Sequence, residues 1–270
     1  MTIEMEQNTQ WNVKENHGNE AIPEEYHEAF KFTEQSYKAP DKRLKQMGDW
    51  GLDEDLSNVE TAIYHNHNTK KTHISHRGSV DVKNDWINTD IPMAWGGENN
   101  TARLKRSGEK LLKSHDKYGY TVDSSGHSLA GTIATNLNEK YGNEDWMGKS
   151  TTFNPGVSLT GLANPINKRR MKKKCQDPNN PFCDKITHIK QKNDRVSNKT
   201  MMFGGGLFGW KDSHYGKTLV FNNSSSCWSI SGCVARDLDE SHRLHNFKMF
   251  EHDIQKHKYV ANPYIPSFFK

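Results

Sequence analysis

One serine motif constrains this chain more than any other feature: Gly126-His127-Ser128-Leu129-Ala130. A β-favouring run at 120–122 precedes the motif, and apolar residues at helical spacing follow it over 133–141. The positions two residues before and two after Ser128 are both very small, as a sharp turn requires where a helix doubles back on a strand. The motif therefore predicts an α/β fold in which Ser128 lies on a strained strand-to-helix turn.

The remaining periodicities agree with a sheet covered by helices. Helical spacing predicts helices at about 23–37 and 101–118, and two alternating runs joined by a polar turn predict a β-hairpin over 61–76. Further short strands are predicted at 150–153 and 186–189. Strands that alternate with helices favour a sheet with parallel members.

The composition limits the number of domains. Hydrophobic residues make up 33% of the 270 residues, enough for one core, while the first twenty residues show neither periodicity nor apolar runs. We predict a mobile arm over 1–20 and a single domain over 21–270. Without an apolar membrane-length stretch or a secretory signal pattern, we expect an intracellular or virion-associated protein rather than an integral membrane or secreted one.

The charge is nearly balanced except in one run. Lys and Arg number 37 against 33 Asp and Glu, which is too small a bias to argue for nucleic acid. Six cations nevertheless occupy seven consecutive positions: Lys168, Arg169, Arg170, Lys172, Lys173 and Lys174. Such a run can bind lipid or nucleic-acid phosphate, act as a localisation signal, or form a solvated loop.

The cysteines and one histidine pair are compatible with metal chemistry, but other interpretations are open. Cys175 and Cys183, like Cys227 and Cys233, are too far apart for a CxxC zinc knuckle, so short-loop disulfides, free thiols or a loose four-thiolate site all remain. The triplet 65–67, His-Asn-His, lies in a polar turn, where we interpret it as turn chemistry rather than a metal site.

Several blocks together resemble one protein family. The segment VDSSGHSLAGTIATNL is similar to the GHSLGG block of the class 3 lipases, the fungal-lipase-like branch of the α/β-hydrolases, with Ala130 in place of a glycine. Upstream, Arg77-Gly78-Ser79 and a following DW…D segment resemble the family's RGT or RGS signature. Downstream, TTFNPG at 151–156 resembles its TFGxP turn. The blocks run in family order from about Thr61 to His242, roughly two thirds of the chain.

This resemblance implies an α/β-hydrolase fold, with a mostly parallel central sheet flanked by helices, and a Ser-Asp-His triad. Ser128 would be the nucleophile and Asp194, in Asn193-Asp194-Arg195-Val196, the acid, with Asp184 and Asp212 as substitutes. His242 resembles the family's late histidine and would be the general base. His245 and His214 are the alternatives.

The resemblance also implies an oxyanion hole and an access route. The backbone N–H groups of Leu129 and Ser79 would bind the oxyanion, and neither a metal nor a cofactor is expected. Residues 91–97 occupy the place of the family's lid. Residues 201–210, rich in glycine and apolar side chains, are equally compatible with an acyl-binding flap or a core strand.

These expectations lead to a hydrolase hypothesis with two competitors. The first is a serine esterase or lipase, of the triacylglycerol lipase or phospholipase A1 type, that acts through an acyl-enzyme and contacts an anionic membrane through the basic run. The second is a catalytically silent hydrolase-fold binding or structural protein of a larger assembly. The third, nucleic-acid binding through 168–174, predicts a steep salt dependence and no esterase activity. The sequence predicts no oligomeric state.

Overall fold

The computed structural model describes residues 12–18, 20–78, 102–156, 165–192 and 214–222. Its centre is a nine-stranded sheet in the order β1-β9-β8-β7-β6-β5-β4-β3-β2. The strands are β1 Asn12–Gly18, β2 Gln46–Met47, β3 Trp50–Leu52, β4 Thr61–Asn66, β5 Lys71–His76, β6 Thr121–His127, β7 Met147–Phe153, β8 Ile186–Gln191 and β9 Gly216–Phe221. Strands β5 to β9 and β1 pair in parallel, and β2 to β5 pair antiparallel.

Helices cover both faces of this sheet. They are α1 His27–Tyr37, α2 Ala102–Tyr118, α3 Leu129–Tyr141 and α4 Pro165–Gln176. In β6, Val122 packs with Leu111 of α2, while Ser125 accepts a hydrogen bond from Thr33 of α1. Because residues an odd number apart in a strand face opposite ways, α1 and α2 lie on opposite faces. This mostly parallel sheet with helices on both sides, and a serine turn between β6 and α3, is the α/β-hydrolase fold.

The predicted elements that fall within the described residues are present. The first helix, the hairpin of β4 and β5, the 101–118 helix and the strands at β7 and β8 all form close to their predicted positions. Strands β1, β2 and β3 are not predicted, because they are short or polar and depend on neighbours to complete their hydrogen bonds. Strand β9, which ends in an apolar run over 219–221, is also absent from the predicted elements.

The prediction of a mobile arm over 1–20 is wrong for the part that the structure describes. Asn12–Gly18 form β1, which adds in parallel to the edge of β9. Glu15 pairs with Lys217 at 3.3 Å, and the His17 ring stacks on Phe221 at 5.0 Å. The arm lacks an apolar pattern because an edge strand needs backbone pairing more than side-chain burial.

The basic run lies in a helix rather than in a loop. Cys175, at the end of α4, is joined by a disulfide to Cys183, so the short-loop alternative holds for this pair and a four-thiolate metal site is excluded. Cys227 and Cys233 lie outside the described residues. Among the helices that the structure describes, none is long and apolar enough to cross a membrane.

Candidate active site

Ser128 occupies the turn between β6 and α3 with φ 60° and ψ −128°. This conformation is sparsely populated for any residue with a side chain, and strain of this kind costs of the order of 1–3 kcal/mol. The turn leaves Ser128 partly exposed, whereas His127 and Leu129 on either side are 6% exposed. The hydroxyl-bearing residue is thus the one that the turn presents outward.

Close backbone packing explains the small residues around this turn. A Cβ at Gly126 would collide with the carbonyl group of Ala130, 2.5 Å from its carbon. A Cβ at Gly131 would lie 2.7 Å from the Cβ of Pro155. Ala130 is fully buried, and its methyl group is one carbon more than the glycine of the motif that this segment resembles. The predicted need for small residues is therefore a contact between backbones.

The turn after β7 hydrogen-bonds to the backbone of Ser128. Asn154 has φ 40°, and the Gly156 N–H that follows donates to the Ser128 carbonyl at 2.9 Å. The Thr132 hydroxyl in turn donates to the Gly156 carbonyl at 2.9 Å. The strained backbone at Ser128 is thereby held from the neighbouring strand as well as from its own helix.

Leu129 is the first residue of α3, so its N–H has no acceptor within the helix. The helix dipole adds partial positive charge at the same point. The second predicted donor, Ser79, lies outside the described residues. Its neighbour Gly78 lies against the turn at 126–131 that carries Ser128, which we call the elbow. A Cβ at Gly78 would lie 2.7 Å from the His127 carbonyl oxygen.

His127 is held by the last residue of α1. Tyr37 Oη lies 2.7 Å from His127 Nδ1, and the two rings meet edge-on at 5.8 Å. Burial raises the pKa of the Tyr37 phenol well above its usual range, although Arg103 opposes this shift, so the hydroxyl keeps its proton at neutral pH. The sequence predicts Tyr37 only as part of the helix at about 23–37. No local signal distinguishes it from a tyrosine of the core.

The other predicted triad members, Asp194 and His242, lie outside the described residues, as do Asp212, His245 and the candidate lids at 91–97 and 201–210. Two substitutes can be excluded. Asp184 and His214 each come two residues before a strand, β8 and β9. Because β6, β8 and β9 are parallel, these residues lie at the amino edge of the sheet, opposite Ser128.

A serine–histidine contact that the sequence does not predict lies inside the sheet. His73 Nε2 is 2.9 Å from Ser125 Oγ, which also bonds Thr33 and Ser75. Ser125 is 0% exposed and His73 4% exposed, so no substrate reaches this hydroxyl. Burial lowers the pKa of His73 to about 3, which keeps the ring neutral. This cluster ties α1 to β5 and β6.

In the part of the chain that the structure describes, no three His, Cys, Asp or Glu side chains come together in a way that would hold a metal ion. A serine, histidine and aspartate triad of the expected kind does not use a metal ion.

No known family model and no curated protein matches the chain. Among solved structures, it is similar to the Lip2 lipase of Yarrowia lipolytica, with 14% identity over 77% of this chain and 82% of that one and a TM-score of 0.48. A triacylglycerol lipase from Penicillium expansum shares 14% identity over 76% and 82%, with a TM-score of 0.45. Lipase II from Rhizopus niveus shares 13% over 83% and 92%, with a TM-score of 0.46. At these identities the similarity is one of fold.

Proposed function

We propose that this protein is a serine hydrolase of lipid carboxyl esters, with Ser128 as its nucleophile. The observation that carries the proposal is the backbone of Ser128, held at φ 60° and ψ −128° between a strand and the amino end of a helix. Strain of this kind is retained where the surrounding structure enforces it, and it is typical of functional sites.

The proposed reaction proceeds in two halves. Ser128 Oγ attacks the ester carbonyl carbon while His242 takes the hydroxyl proton, and Asp194 orients the imidazole. The tetrahedral intermediate expels the alcohol, which receives the proton from His242, and an acyl-enzyme remains. Water then attacks the acyl carbon with His242 again as base, which releases the fatty acid and restores Ser128.

The positions of the strand ends support Asp194 as the acid. Only β7 lies between β6 and β8, so the carboxyl ends of β6 and β8 are separated by about 10 Å. Lys192, the last described residue after β8, is two residues before Asp194 and follows the strand at the Ser128 edge. Two residues span at most about 7 Å, which is enough chain to bring Asp194 toward a histidine placed beside Ser128.

The oxyanion would be bound by the N–H groups of Leu129 and Ser79. Leu129 offers an amide without a helical acceptor, and Gly78 brings the chain before Ser79 against the His127 carbonyl. Loss of one such donor typically costs about 3 kcal/mol of transition-state stabilisation.

A membrane contact through α4 is a further part of the proposal. Arg169, Arg170 and Lys173 are exposed, whereas Met171 on the opposite side is 5% exposed and packs with Phe182 and Tyr215. The stripe of cations therefore faces outward from a helix that is anchored by its apolar side. An anionic lipid surface matches this charge, and it favours a phosphate-bearing substrate over a triacylglycerol.

Covalent labelling tests the nucleophile. A fluorophosphonate probe and a short p-nitrophenyl ester should react with the wild type and fail with Ser128→Ala. Ser125→Ala serves as the matched control, since it removes a buried serine hydroxyl that is hydrogen-bonded to His73, and it should still be labelled. A folded wild type that the probe does not label would support the silent binding protein instead.

Vesicles test the membrane contact and the substrate. Binding to phosphatidylglycerol vesicles should exceed binding to phosphatidylcholine, weaken with salt, and fall when Arg169, Arg170 and Lys173 are changed to Gln. A variant with the exposed Lys42, Lys45 and Lys113 changed to Gln loses the same three charges elsewhere and controls for net charge. Fatty-acid release from phospholipid and triacylglycerol dispersions, measured in parallel, decides between the two lipid classes. Salt-sensitive binding to nucleic acid without hydrolysis would favour the third hypothesis.

A further inference from the structure

We propose that Tyr37 is a positioning residue that joins the two halves of the oxyanion hole through one hydroxyl group. The inference rests on the proposed function, because it assigns Leu129 and Ser79 as the donors. It concerns a side chain on α1, on the opposite face of the sheet from α2 and some ninety residues away in sequence from the elbow.

The contacts of the Tyr37 hydroxyl carry this inference. Its Oη lies 2.7 Å from Nδ1 of His127, the residue before Ser128. The same oxygen lies against the backbone of Gly78, the residue before Ser79, where an added Cβ would collide with it, and a backbone hydrogen bond from Gly78 opposes the rise in the phenol pKa. One atom is therefore bonded to both chain segments that supply the proposed oxyanion donors.

The hydrogen-bond roles follow from what each group can offer. A Gly78 N–H can only donate, so Tyr37 Oη accepts that bond and its own proton needs an acceptor. A buried hydroxyl proton without an acceptor is costly, and His127 Nδ1 is the acceptor at hand. We therefore assign His127 to the tautomer with its proton on Nε2. Because burial raises the pKa of the phenol, the donating proton stays in place at neutral pH.

The segment before Ser79 is clamped from several sides, which makes its position sensitive to this bond. A Cβ at Gly78 would collide with Tyr37 Oη and lie 2.7 Å from the His127 carbonyl oxygen. From α2, the Arg103 guanidinium donates to the Arg77 carbonyl. Arg103 and Tyr37 thus hold adjacent residues of the same segment, and Tyr37 also bonds to His127 in the elbow.

The expected effect is on the transition state rather than on substrate binding. Oxyanion donors act only when they are held within a fraction of an ångström of the charge that develops. Removing the hydroxyl while keeping the ring frees the Ser79 segment from the elbow, without changing a group that touches the substrate. Tyr37→Phe should therefore lower kcat by about tenfold and leave KM within about twofold.

The test compares Tyr37→Phe with Tyr118→Phe. The Tyr118 hydroxyl also makes two hydrogen bonds, to Asp53 and His65, but at the amino end of β6, the full length of the strand from Ser128. We expect kcat and the second-order rate of fluorophosphonate labelling to fall together in Tyr37→Phe and to be unchanged in Tyr118→Phe. Labelling at 10 °C, well below unfolding, keeps the comparison valid if the Tyr37 variant is less stable.

Nitrogen NMR of the histidine rings tests the hydrogen bond and the assigned tautomer, while the split between kcat and KM separates positioning from a purely structural role. In the wild type, His127 should show a hydrogen-bonded, unprotonated Nδ1, and in Tyr37→Phe that nitrogen should shift toward the value without a hydrogen bond.

Labelling of wild-type Ser128 with an unchanged kcat in Tyr37→Phe would overturn the role of Tyr37 and leave the proposed function intact. A rise in KM parallel to the fall in kcat, or an equal fall in kcat in Tyr118→Phe, would likewise overturn this role, because it would indicate a general packing effect. A wild type that is not labelled at all would remove the proposed function and this inference with it.

Discussion

The two ends of strand β6 are held by different kinds of contact, between backbone segments at one end and between side chains at the other. At the carboxyl end, Gly126 and Gly131 let backbone segments approach until no further carbon fits, and Ser128 is held in a strained conformation. At the amino end, side chains make the contacts: Asp53 accepts hydrogen bonds from Lys117 Nζ and Tyr118 Oη, each at 2.8 Å. A backbone fit fails with one added atom, whereas a side-chain network loses one member at a time.

The ends also differ in how they treat charge. Near the elbow, burial lowers the pKa of His76 to about 3 and raises that of Glu34 to about 7, so both groups favour their neutral forms. At the other end, burial alone would raise the pKa of Asp53, but hydrogen bonds from Lys117, Leu56 and Tyr118 outweigh it and the pKa is lowered. Burial thus keeps these two groups near the carboxyl end neutral, whereas hydrogen bonds and an ion pair keep Asp53 charged at the amino end.

The largest expected effect comes from adding one carbon at the elbow. Gly126→Ala places a Cβ against the Ala130 carbonyl group, which is backbone and cannot swing away. We expect a loss of labelling at Ser128 of more than a hundredfold and a destabilisation of several kcal/mol. Gly108→Ala is the matched control, since its Cβ meets Leu137 at an ordinary 3.5 Å. Chemical unfolding and labelling rates measured on both variants check this. Equal effects would contradict the backbone-fit explanation.

A pH-dependent effect should appear at Glu34, one turn before Tyr37 in α1. Burial raises its folded pKa to about 7, against the attraction of Lys38 and Lys31, so the folded state holds a proton that the unfolded state releases near 4.5. Stability from this group is present at low pH and is lost as pH rises from about 4.5 through 7. Glu34→Gln should therefore be more stable than the wild type by about 1–3 kcal/mol at pH 8, and similar to it at pH 4.5.

Urea unfolding at the two pH values measures this difference. A stabilisation that is the same at both would show that the amide side chain acts through packing, not titration.

Relief of strain at the elbow should give a smaller gain. Ser128→Gly replaces a side chain at φ 60° and ψ −128° with a residue that adopts this region freely. We expect a stabilisation of about 1–2 kcal/mol together with complete loss of labelling. Ser128→Ala controls for the hydroxyl, since it abolishes labelling but keeps a Cβ. Equal thermal stability of the two variants would argue against stored strain.

The smallest effect is expected at the amino end. Lys117 is 39% exposed at its side chain, and Asp53 keeps its bonds from Tyr118 and Leu56 when the lysine is removed. Lys117→Gln should cost about 1 kcal/mol or less and leave labelling unchanged. Because the Asp53 pKa is lowered in the fold, the cost should be present above pH 4 and vanish as acid protonates the carboxylate. Thermal unfolding against pH checks this, and a change in the labelling rate would mean that the two ends are coupled.

Local patterns predicted much of the fold. Helices α1 and α2 have periodicities that reach over ten or more residues, and β4 and β5 are six-residue alternating strands joined by a polar turn. The elbow has a turn that only small residues permit. Strand β1 has no such pattern, because its stability comes from pairing with β9, some two hundred residues later. The basic run likewise forms a helix because Met171 is buried against Phe182 and Tyr215, which composition does not reveal.

The candidate site divides in the same way. Ser128 and Leu129 are recognisable from a five-residue motif, and the structure places them on the expected turn. Asp194, His242 and Ser79 remain predictions from resemblance. The exclusion of Asp184 and His214 needed the direction of β8 and β9, and the bond between Tyr37 and His127 needed α1 packed on the sheet.

The amino-acid sequence alone determined where Ser128 must turn, because steric exclusion between residues four apart acts within one short segment. Tertiary structure decided which groups surround it: which edge each strand end faces, which histidines are buried and neutral, and which tyrosine hydroxyl meets His127. Those contacts join residues up to 92 positions apart, and their energies arise only when the sheet has assembled and water has left its faces.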